Sequence, residues 1–179
     1  MSVIKSGSSG NVAVVTDEGQ LLTKAVAEST LEEASDEFGQ AFAWTTAFAT
    51  GGTTIEIITV ENDSSERHLH LDQIIMSCIS STVFRIIQVT SGVPAGTTTT
   101  AVNLNFGSGN EAESISFGNA SVTGSVSGTT IATFRLTSST TQVFDIGGSV
   151  ILLKGDIITI QTDIDTTVEA SIIGHFGEA

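Results

Sequence analysis

The sequence predicts an all-β protein: an antiparallel β-sandwich, read as a jelly roll, preceded by an extended N-terminal arm that carries a short β-hairpin. Three observations carry that prediction. Strand-length runs rich in Val, Ile, Thr and Phe recur from Ala41 to Phe176, separated by turn clusters, which is the pattern of a sandwich or barrel. No long helical period interrupts them. The first forty positions differ in kind, with a small-residue leader, two short β-branched runs and an acidic stretch, so the chain divides into residues 1–40, arm and connector, and residues 41–179, sandwich.

Composition bounds the class. At 179 residues the chain is long enough for one core, and a domain of this size buries roughly 70% of its unfolded surface. Charged residues make up only 15%, against about 25% in ordinary globular chains, and Ser and Thr take their place. With 20 acidic residues against 6 basic ones the net charge is -14, and no Lys/Arg cluster exists to displace counterions from phosphates. Nucleic acid is therefore not an expected partner. No run approaches the ~20 apolar residues of a membrane span, and the N-terminus lacks the apolar stretch of a signal peptide, so synthesis in a cytoplasm without export is expected.

The elements follow in order. Residues 1–10 are small and polar and are expected to be adaptable. Asn11–Thr16 and Gln20–Val26 flank Asp17-Glu18-Gly19, a hairpin signal. Such a hairpin is marginal alone in water, so its apolar residues need a surface to lie on. From Glu28 to Gln40, Leu31, Ala34 and Phe38 recur at helical spacing, Thr30 and Glu33 have the form of a capping box, and one or two turns of helix ending at Gly39 are expected. Strands are then expected over 41–50, 53–61, 68–80, 82–90, 98–106, 114–117, 129–136, 141–146, 149–153, 156–162 and 167–176. Ile158 and Ile160 alternate with Thr159 and Gln161, and Val168, Ala170 and Ile172 share a face, which predicts strands with one wet and one dry side. An immunoglobulin-like sandwich fits less well, because the strands are too many and the Cys, Trp, Cys arrangement is missing.

Candidate chemistry is sparse. Cys78, in Ile74-Ile75-Met76-Ser77-Cys78-Ile79, reads as a small buried hydrophobe, since a nucleophile needs a neighbouring His and a polar pocket. His68 and His70 lie two apart on a strand and project from one face, as a metal-binding pair would, but the Glu that follows in cupin-type sites is absent; a solvated strand start is the expected role. Asp163 and Asp165, with Asp156 upstream, lack the spacing of a calcium loop and read as turn carboxylates. Lys154-Gly155-Asp156 reads as a tight turn. Trp44 alternates with Phe42, Thr46 and Phe48 on one face; core packing is the expected role, with a subunit interface or ligand platform as alternatives. No nucleophile elbow and no phosphate-cradling glycine loop occurs, and no enzyme activity, metal or cofactor is expected.

Gly10-Asn11-Val12-Ala13, the acidic turn Asp17-Glu18-Gly19, Leu21, Thr23, Ala25-Val26 and Glu28-Ser29 together resemble the opening of virion structural proteins of tailed bacteriophages. In that group an N-terminal arm precedes a β-sandwich, often a jelly roll. The resemblance implies a capsid decoration (cement) protein on the capsid exterior, bound to the major capsid protein or other virion proteins through arm residues Asn11, Val12, Val14, Leu21, Thr23 and Val26, and assembled as a homotrimer. The alternative it implies is a receptor- or glycan-binding module of a tail or head fibre, with loops Ser91–Thr100 and Gly107–Glu113 as the contact surface. The scarcity of aromatics, with one Trp and no Tyr, favours the first.

Overall fold

β-branched runs and turn clusters alternate along the chain, and the structure, a computed structural model, follows that alternation. It describes residues 2–5, 12–15, 21–22, 30–36, 38–49, 55–94, 96–118, 126–163 and 167–178. Near the N-terminus come β1 (Ser2–Lys5), β2 (Val12–Val15), β3 (Leu21–Leu22) and α1 (Thr30–Asp36). The body opens with β4 (Ala41–Ala49), β5 (Ile55–Asn62), β6 (Arg67–Cys78) and β7 (Thr82–Ser91). Three short strands follow, β8 (Thr97–Thr98), β9 (Val102–Asn103) and β10 (Ser114–Gly118). The second half is β11 (Ser127–Leu136), β12 (Thr140–Leu152), β13 (Ile157–Thr162) and β14 (Thr167–Glu178).

The pairing is nested: β4 pairs with β14, β5 with β13, β6 with β12 and β7 with β11, all antiparallel. Further pairing of β13 with β7 and of β14 with β6 gathers these strands into two sheets, ordered β11-β7-β13-β5-β10-β8 and β12-β6-β14-β4-β9. Within β4–β7 and again within β11–β14 successive strands therefore change sheet, and the two sheets pack face to face as an all-β sandwich. Between them lies one core in which Phe42, Trp44, Ile58, Leu71, Ile74, Phe84, Ile160 and Ile172 are fully buried. Each such side chain contributes roughly 1.5–3 kcal/mol by leaving water. Trp44 belongs to this core, and its indole N–H donates across the sandwich to Ser114 Oγ at 3.0 Å.

Four expectations are corrected. Ser2–Lys5, expected to be irregular, pairs with β2, which also pairs with β3, to give a separate small sheet ordered β1-β2-β3. The run 98–106 is not one strand: β8 joins β10 in one sheet and β9 joins β4 in the other, and β9 ends where Asn103 and Asn105 turn the chain by accepting the backbone N–H groups of Asn105 (2.9 Å) and Gly107 (3.1 Å). Gly147 and Gly148 do not separate two strands. With φ of +58° and +73° they loop out within a single β12, between Asp145, paired with Gln73, and Val150, paired with Leu71. Finally, β13 has no wet side, since Thr159, Gln161 and Thr162 are as buried as Ile158 and Ile160. Glu56, the register partner of Gln161, accepts the N–H of Val126 at 3.0 Å.

The helical turn expected near Leu31 and Ala34 is α1, which buries Ala34 against the sandwich; Thr30's capping side chain and Glu37 lie outside the description. Its last carbonyls are met by the chain that follows, Gly39 N–H donating to Ser35 O (3.1 Å) and Gln40 N–H to Ala34 O (2.8 Å). Asparagine amides add to this end: Asn105 donates to Ser35 O (3.0 Å), and Asn110 and Asn103 donate to Phe38 O (2.8 Å) and Gly39 O (2.9 Å) just beyond the helix. Gly39 has φ +58°, and a Cβ there would stand 2.7 Å from Ser108 Cβ, so the close approach of this connection requires glycine.

Candidate functional site

Beside α1, the five-stranded sheet brings together three polar side chains that are far apart in the chain. His70 on β6 and His175 on β14 are register partners, and their rings stack with centroids 5.1 Å apart and planes at 13°. Asp72 reaches the same spot from a bulge. Leu71 pairs with Gly174 and Gln73 with Ile173, so Asp72 has no register partner on β14, and it keeps the face of His70, two residues before it. Its Oδ2 lies 2.7 Å from His175 Nδ1, with the two side chains only 8% and 11% exposed. The looped-out Gly148 covers all three: a Cβ there would meet Asp72 Oδ1 at 3.6 Å, His175 Cε1 at 3.8 Å and His70 Cβ at 3.9 Å.

His175 also lines a cleft of about 770 Å³ between α1 and the end of β14, bordered by Glu33, Ala34, Phe38, Arg67 and Phe176. Arg67 is committed there, donating to Gln40 Oε1 at 2.9 Å and standing 3.7 Å from Glu113. A histidine whose Nδ1 is held by a carboxylate can exchange a proton at Nε2, and acyl transfer would need a hydroxyl or thiol at that nitrogen. Among the described residues His175 makes no such bond. Nor does any group of three or more His, Cys, Asp and Glu side chains among them stand so as to hold a metal ion. The trio ties β6, the glycine loop of β12 and β14 together.

The other candidates fall into place individually. His68 pairs in register with Gly177, and the ring of His70 stacks on that of His175. Cys78 is buried, and its thiol donates to Thr137 O at 3.4 Å. Asp163 accepts both terminal nitrogens of Arg85, one at 2.7 Å, and that hydrogen bonding pushes the guanidinium further above its usual range; Asp165 lies outside the described residues. Asp156 closes the Lys154-Gly155 turn by accepting Leu153 N–H at 2.9 Å. Of the arm residues, Val12 and Val14 stand in β2 and Leu21 in β3, where it pairs with Val15; Asn11, Thr23 and Val26 lie outside the described residues. In the two loops named above, Val93 is exposed, and Phe106, next to Gly107, is 87% exposed.

Sequence reasoning missed Asp72 with His175 and the asparagine amides beneath α1. His70 and Asp72, two apart on a strand, share a face by simple alternation, but their meeting with His175 depends on the register between β6 and β14, which nothing local announces. Compared with models of known protein families, with curated proteins and with solved structures, the chain matches none.

Proposed function

We propose that this chain is a structural protein of a tailed-bacteriophage virion, a non-enzymatic capsid decoration (cement) protein that docks through its N-terminal arm and stabilises the shell. The observation that carries the reading is the small β1-β2-β3 sheet, which among the described residues pairs with neither sheet of the body. A sheet of four-, four- and two-residue strands is too small to stand alone in water, so it needs another surface, and capsid protein or a neighbouring subunit supplies one. The N-terminal resemblance points the same way. We read the body as a jelly roll, for which the nested pairing of β4–β7 with β14–β11 is the support. A homotrimer on the capsid exterior fits a strongly acidic, hydroxyl-rich coat, where many weak contacts are multiplied by avidity.

Deleting residues 1–27 tests this: the truncated body should keep its β-sheet circular dichroism and lose binding to undecorated capsids. Unchanged capsid binding by the truncated chain would overturn it. A second reading, a glycan- or receptor-binding fibre module, draws on the exposure of Val93 (75%) in one candidate loop and of Phe106 (87%) next to the other. Glycan-array binding that survives loss of the arm would favour it.

A further inference from the structure

We infer that the β11–β12 side of the sandwich is the surface on which a second copy of this chain docks. The two sides of the sandwich are built differently. On one side the outermost strands are β8 and β9, two residues each, which is a common way to deny a neighbour a pairing template. On the other they are β11, ten residues, and β12, thirteen residues, joined by the short turn Thr137–Ser139. Among the described residues, the outward edges of both strands pair with nothing. Of the usual protections only bulges are present, near Thr130 of β11 and between Asp145 and Val150 of β12: the strands are long, they contain no proline, and their only charges are Arg135 and Asp145.

The core is also open on this side. Phe134 of β11 and Phe144 of β12 meet across the sandwich with ring centroids 5.1 Å apart, yet both are only partly buried, as are Ala132, Ile146 and Val150 next to them. Ile131, Val143 and Ile151 stand 40–47% exposed on the same strands. A partner laid along this side would complete a layer of apolar contact that the single chain leaves unfinished.

Charge identifies the partner as a copy of the same chain. A molecule with net charge -14 repels its own copies over most of its surface, but residues 127–152 carry one positive and one negative charge, +1 − 1 = 0. Those two charges cannot meet within one chain. Because Phe134 and Phe144 face each other inside, their neighbours Arg135 and Asp145 project from opposite outer faces, where both are exposed and, among the described residues, neither has a partner. Any arrangement, two-fold or cyclic, that lays β11 of one copy beside β12 of the next places Arg135 on the same outer face as the neighbour's Asp145. The opposite charges then fix the register, while the hydroxyl and β-branched residues of the edges pair.

This inference rests on the sandwich alone and stands or falls without the capsid reading. Sedimentation equilibrium of the purified full chain tests it, with Arg135→Glu, Asp145→Arg and the double exchange as variants. The wild type should self-associate, each single exchange should raise the dissociation constant by about tenfold or more, and the double exchange should restore it. Circular dichroism should be the same for all four proteins, since both side chains are exposed and unpaired. A wild type that remains monomeric at every concentration, or an oligomer whose dissociation constant none of the exchanges moves, would overturn the assignment.

Discussion

Asp72 and His175, 103 positions apart in the chain, share a 2.7 Å hydrogen bond that closes β6 onto β14 beneath the looped-out glycines of β12. Removing one partner leaves the other nearly buried without its bond. His175→Leu should lower the unfolding free energy by about 2–4 kcal/mol in urea titrations. Adding Asp72→Leu should cost less than the sum of the two single changes, because the pair is then replaced as a unit. Strict additivity in that double-mutant cycle would show that the bond carries no coupling.

Asn62 is a second long-range tie. Fully buried at the end of β5, it donates to Leu152 O at 2.8 Å and Arg67 O at 3.0 Å and accepts Ser64 N–H at 2.9 Å. Asn62→Ala should destabilise the protein by about 2–4 kcal/mol. Asn62→Asp should be at least as costly, since a carboxylate cannot donate to the two carbonyls. Thermal melts of both variants at neutral pH check the order.

The hydroxyls of Thr59 and Thr159 lie 2.8 Å apart with no exposure to water, between β5 and β13. Thr159→Val strands the buried Thr59 hydroxyl and should cost about 1–2 kcal/mol, whereas Thr59→Val leaves Thr159 donating to Ile58 O at 3.2 Å and should cost less. Thr59→Val with Thr159→Val should recover much of that loss, because two apolar groups of the same shape then face each other. Denaturant unfolding of the two single variants and the double variant reads this directly.

Gly39 carries two constraints, a φ of +58° and a Cβ position 2.7 Å from Ser108 Cβ. Gly39→Ala should cost about 1–3 kcal/mol. Pairing it with Ser108→Gly should remove the clash and leave only the conformational part, so the double variant should melt above Gly39→Ala. Equal melting temperatures would assign the whole cost to φ.

The strand rhythm was legible because each long strand is written in β-branched residues between turn clusters, and Ala41–Ala49, Arg67–Cys78 and Thr167–Glu178 stand close to where the periodicity put them. The short helical turn around Leu31 and Ala34 was legible for the same reason. What failed is what periodicity does not encode. Thr159 and Gln161 look like a solvated face although both are buried, with Val126 bonded to Glu56, the register partner of Gln161, and Gly147-Gly148 looks like a turn until β6 is known to pair on both sides of it. The meeting of His70, Asp72 and His175 depends on the register between β6 and β14, with a bulge that no local signal marks. The exposed apolar side of β11 and β12 was hidden because its Ile, Val and Phe residues read as ordinary core.

The most direct test of the functional account is an image of the intact phage particle at a resolution that traces this chain. The account predicts the sandwich repeated over the whole shell, with Val12–Val15 and Leu21–Leu22 lying on capsid protein or on a neighbouring subunit. Copies confined to a single vertex, or an N-terminal sheet resting wholly on its own sandwich, would contradict it.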